Sequence, residues 1–118
     1  MTHWALLVSA SVATFFGCTG REQTAVGLYE SRCADCHGTD GHASGRVARA
    51  LPHRPTSFGN KHWAKSVSRD YVRTVILTGG AGVGLSPLMP SNQDLVAQPQ
   101  LVEQLVDYLL KLSTKPKG

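Results

Sequence analysis

The sequence has no second cysteine pair, no histidine pair that completes a usual zinc pattern, and a single methionine beyond Met1. The first two absences leave the usual structural zinc patterns incomplete. The third means that any methionine ligand must be Met89. No apolar run is long enough to span a bilayer comfortably, the longest being Trp4 to Phe16. Sustained apolar–polar alternation is missing, as are internal repeats, so the expected class is all-α. Basic and aromatic residues do not interleave, which speaks against a nucleic-acid partner.

Charge is also missing from one end. Residues 1–17 contain no Lys, Arg, Asp or Glu. Their apolar stretch has the length of a secretory h-region, although no basic residue precedes it. The run Thr14-Phe15-Phe16-Gly17-Cys18 resembles a lipoprotein signal, in which the cysteine becomes the lipidated first residue. Phe15 departs from the usual Leu. The expectation is a signal peptide over 1–17, lipidation at Cys18, a tether over 18–24, a domain over 25–114 and a tail over 115–118. An ordinary cleaved signal is the alternative. In either case the cysteines work outside the cytoplasm, in the periplasm or at the outer face of the membrane. A lipid on Cys18 is the one membrane attachment expected.

The chain has 118 residues, and losing the first segment leaves roughly 100. A core that small often leans on a metal, staple or cofactor. The net charge of +4 is concentrated in Arg46, Arg49, Arg54, Lys61, Lys65, Arg69 and Arg73, with Asp70 the one acid among them. Such a segment either steers an acidic partner or is a solvated face.

Three helices are readable. Val26, Tyr29 and Cys33 recur at helical spacing between Ala25 and Cys36, and His37-Gly38 ends that run. Ser68 caps a second helix from Arg69 to Leu77, with Asp70 in its first turn and Tyr71, Val72, Val75 and Ile76 on one face. The third runs from Pro99 to Ser113, with a stripe of Leu101, Leu105, Tyr108 and Leu112 widened by Val102, Val106 and Leu109. Gly38 to Lys61 reads as loop with one turn of helix near Arg46 to Leu51. Gly79 to Ser91 reads as a long Gly/Pro loop that carries Met89.

Cys33-Ala34-Asp35-Cys36-His37 carries the chemistry. Cys-x-x-Cys-His is the haem c attachment pattern. Two thiols on adjacent helical turns can each form a thioether with one haem vinyl group. The histidine that follows lies under the iron as a proximal ligand. Three other readings share these residues. A thiol-redox pair would need a βαβ setting. A zinc site would need two of His37, His42, His53 and His62 beside the cysteines. A Cys33–Cys36 disulfide would close poorly and staple nothing long.

Around the motif the chain resembles the class I cytochromes c over about Ala25 to Leu112. Tyr29 stands four residues before Cys33, and Gly38 continues the Cys-His-Gly run. Gly84-Leu85-Ser86-Pro87-Leu88-Met89-Pro90 is similar to the family's distal loop, and Leu105-Val106-Asp107-Tyr108-Leu109 to its last helix. Ala25 replaces the usual helix-crossing glycine, and Gln98 a usual Ser or Thr cap.

The resemblance implies a cytochrome c fold of three to four short helices around one covalent haem c. It implies His37 and Met89 as axial ligands, although Met89 is also readable as a gap-filling core residue. A proline carbonyl, from Pro55 in preference to Pro52, would accept the His37 N–H. Arg54, Trp63 and Tyr71 are the candidate haem-pocket contacts. The expected function is single-electron transfer with redox-partner proteins, by a monomer with no substrate chemistry. A five-coordinate haem enzyme or ligand sensor, with His42 as a distal group, is the main alternative. A relay subunit of a larger complex is another.

Overall fold

The computed structural model describes residues 20–116. The expected signal segment and the lipidation candidate Cys18 lie outside them. Within the described residues there is no strand, and five α-helices are joined by loops and short 3-10 turns. They are α1 (Ala25–Arg32), α2 (Ala34–His37), α3 (Lys61–Ser66), α4 (Arg69–Thr78) and α5 (Pro99–Leu112). The all-α expectation is met.

Thr24 starts α1, its hydroxyl accepting the Gly27 N–H at 3.1 Å. The helix buries Gly27, Leu28 and Tyr29. Val26, expected on the buried face, is 46% exposed. The inward face is centred on Leu28 and Tyr29, so Val26 falls on the outer side. Cys33 interrupts the expected continuous helix at φ −113°, and α2 resumes on the hydrogen bond from the His37 N–H to the Cys33 carbonyl. Gly38 ends α2 at φ +82°, and a Cβ there would lie 2.4 Å from the Ser44 hydroxyl. Its carbonyl accepts the buried Tyr29 hydroxyl at 2.6 Å. The turn that ends the motif is thus fastened to α1.

α5 buries Leu101, Val102, Leu105, Val106, Leu109 and Leu112, a stripe recurring every three or four residues. It packs across α1, with Tyr108 edge-on to Tyr29 at 5.2 Å between ring centres. Val72 and Ile76 of α4, with Leu95 and Phe58, complete the core. Tyr71, expected on the α4 apolar face, is 42% exposed. Ser68 caps α4 as expected.

The helix α3 lies just beyond the segment read as loop. Asn60 caps it by accepting the His62 N–H at 2.9 Å. Six residues are too few for a hydrophobic period to show. The expected tether is partly built into the domain: Glu22, in the turn Arg21–Gln23, accepts hydrogen bonds from Ser31 and Arg32.

Candidate functional site

Cys33, Cys36 and His37 form one wall of a cavity of about 720 Å³. That size lies within the roughly 300–1,000 Å³ of cofactor sites. A second wall is the loop from Leu51 to Phe58, a third the loop from Gly84 to Pro90, and Ile76, Leu105 and Leu109 close the apolar base.

His37 is held in one tautomer. Its Nδ1 lies 2.9 Å from the Thr56 carbonyl oxygen. A carbonyl only accepts, so Nδ1 carries the proton and Nε2 keeps its lone pair. The Phe58 ring stacks on the imidazole at 4.4 Å. Burial lowers the His37 pKa, against the opposing pull of the Thr56 bond. The side chain is therefore a neutral donor nitrogen, the form in which histidine binds a metal.

The two thiols are unbridged. Burial pushes the Cys33 thiol up to about 11, with the Arg32 charge acting in the opposite direction. A redox-active thiol pair needs the reverse shift, toward thiolate near neutral pH. The zinc reading also loses its ligands. Among the described residues no group of three or more His, Cys, Asp or Glu side chains is placed to hold a metal. His62 is exposed on α3, while His42 stays with Asp40, whose carbonyl lies 3.1 Å from its Nδ1.

Met89 lines the opposite loop. That loop is pinned to the end of α4 by backbone pairing. The Gly80 N–H donates to the Met89 carbonyl at 3.0 Å, and the Leu85 N–H to the Gly80 carbonyl at 2.8 Å. The approach is close enough that a Cβ on Gly80 would sit 2.0 Å from the Ser86 carbonyl oxygen. Asn92 fixes the far end, donating from its side chain to the Ile76 carbonyl at 2.9 Å and from its backbone to Leu77.

Three expectations at the site change. Pro52 and Pro55 line the cavity, but the carbonyl facing His37 belongs to Thr56, one residue past the preferred proline. Trp63 stands behind the wall, packed on Phe58 at 4.9 Å. Tyr71 is on the outer side of α4, and neither ring reaches the cavity. Arg54 does line it, joined by His53. Thr56, Phe58, Arg32 and Asn92 were not anticipated. Phe58 was the most findable of them, as an aromatic in a loop otherwise poor in large apolar residues.

The basic segment is also rearranged by folding. Arg46 pairs with Asp35 at 2.9 Å. Arg69 pairs with Glu103 and Asp107, and Arg73 with Glu103 and Asp70. These pairs absorb much of the charge that looked available and tie α4 to α5. Arg49, Arg54, Lys61 and Lys65 make no ion pair among the described residues.

The family model described as cytochrome C oxidase, cbb3-type, subunit III matches residues 20–109, most of the chain. The chain belongs to this c-type cytochrome family. It is a class I c-type cytochrome domain with a cytochrome c fold, and its cofactor is covalent haem c with iron. No curated protein and no solved structure matches it. The residues present fit the cofactor: two unbridged thiols and one neutral imidazole share a wall of an apolar cavity of suitable size. The domain is therefore a haem-based electron carrier. Among the described residues, no helix is long and apolar enough to cross a membrane.

Proposed function

We propose that this cytochrome c domain is a single-electron carrier whose haem is tied through Cys33 and Cys36, with iron held by His37 and Met89. The observation that carries this reading is the placement of Met89 in a pinned loop across the same cavity as His37. Bound there, the haem iron supplies one-electron redox chemistry. The protein's share is positional. Thr56 fixes the His37 ring through Nδ1 and makes Nε2 a better donor. Phe58 limits rotation of that ring by stacking. Gly79 and Gly80 let the Met89 loop lie against α4, and the apolar base excludes water. With two protein ligands the iron has no open position, so no substrate chemistry is assigned.

The discriminating experiment is carbon monoxide addition to the reduced protein. The expected result is slow, weak binding, because Met89 must first leave. Fast, tight binding would favour the five-coordinate enzyme or sensor reading.

The partner is a redox protein. The family description names an oxidase subunit, which supports a place beside or within a respiratory oxidase. Arg54 lies on the cavity lining, and Arg49 shares a shallow adjoining pocket with it. These two arginines, not Arg69 or Arg73, are the charges best placed to meet an acidic docking face. Reversing both to Glu is expected to slow electron exchange with an acidic partner about tenfold at low salt. The difference should vanish at high ionic strength. Stopped-flow rates that are unchanged at low salt would remove the patch from docking. Export to the periplasm, with or without a lipid on Cys18, is the location this reading requires.

A further inference from the structure

We propose that Arg32 is a positioning residue that clamps the Met89 loop to the cysteine-bearing wall and so holds the distal ligand in place. The inference rests on Met89 being that ligand.

Arg32 precedes Cys33 directly, and both it and Asn92 line the cavity. Its guanidinium donates to Asn92 Oδ1 at 3.3 Å and to Asp94 Oδ1 at 3.0 Å. It also donates to both carboxylate oxygens of Glu22, at 3.1 and 2.8 Å. One side chain thus joins the N-terminal turn, the end of α1 and the segment that leaves Met89.

Asn92 transmits the hold. Its amide N–H goes to the Ile76 carbonyl and its amide oxygen faces Arg32, so both ends of the amide are used. Met89 is three residues away along the chain. For Met89 to leave its position, the loop must lift from the opposite wall. The Arg32 bonds to Asn92 and Asp94 oppose that motion directly, because they run from one wall to the other. The bond to Glu22 does not, since Glu22 and Arg32 lie on the same side. Arginine suits the task because its planar fork can serve several acceptors at once, which a lysine ammonium does less well.

The test is imidazole titration of the oxidised haem protein, with amide exchange at Asn92 as a second readout. The wild type comes first: its weak red sulfur-to-iron band must be lost as imidazole binds. If that band is absent, the Met89 reading fails and the clamp fails with it. With the band present, Arg32→Gln should bind imidazole about fivefold more tightly and exchange its Asn92 amide faster. Arg32→Lys should fall between. Glu22→Gln, which spares the cross-wall bonds, should leave imidazole affinity unchanged. Unchanged affinity in Arg32→Gln overturns the clamp, and so does an equal rise in Glu22→Gln, which would mean a general loosening of α1. If Arg32→Gln does not mature, Asp94→Asn decides the matter: about a twofold rise is expected, and no rise contradicts the clamp.

Discussion

Replacing both Cys33 and Cys36 with alanine is expected to yield protein from which all haem is removed by acid-acetone. The two thiols are three residues apart, Cys33 at the start of α2 and Cys36 within it, and both line the same cavity. Each single variant keeps one thioether and should retain its pigment with a shifted reduced spectrum. The double variant should lose more than colour. Without haem, the apolar lining of this open cavity, including Ile76, Leu105 and Leu109, would be left facing water. Whole domains are stable by only about 5–15 kcal/mol. The double variant should therefore lose its near-ultraviolet circular dichroism and its cooperative thermal transition. A cooperatively folded, haem-free variant would show that the fold does not depend on the cofactor.

The second large effect is at Met89. Met89→Ala is expected to abolish the red sulfur-to-iron band, open the iron to carbon monoxide, and lower the reduction potential by on the order of a few tenths of a volt. The direction follows from the ligand: a soft thioether favours ferrous iron, and the water or stray ligand that replaces it does not. The backbone pairing of the loop with Gly80 does not involve the Met89 side chain, so the helical content should survive. Potentiometric titration checks the shift. A variant with an unchanged potential would mean that Met89 merely fills space.

Legibility in the sequence followed how local each determinant is. The Cys33-to-His37 wall is contiguous, so its chemistry could be read from spacing alone. α4 was readable from Ser68 and Asp70, and α5 from a long stripe that only one face can bury. The acceptor for His37 was harder. It is a backbone carbonyl, and side-chain identity does not reveal which carbonyl a loop turns inward, so the preference for Pro55 missed Thr56 by one residue. The charged segment misled for a different reason. Glu103 and Asp107 lie thirty or more residues from Arg69 and Arg73, and only the packing of α4 on α5 brings them together. Arg32 and Asp94 are similarly distant along the chain. Arg32 looked like an ordinary residue beside a motif until the loop returned to meet it.

The most direct measurement is the optical spectrum of the purified protein, oxidised and reduced, followed by acid-acetone extraction. The expected result is pigment that stays with the polypeptide and a weak red sulfur-to-iron band in the oxidised form, as covalent attachment with His37 and Met89 ligation requires. Pigment that extracts completely, or no pigment at all, would contradict the covalent haem site and return Cys33 and Cys36 to another chemistry.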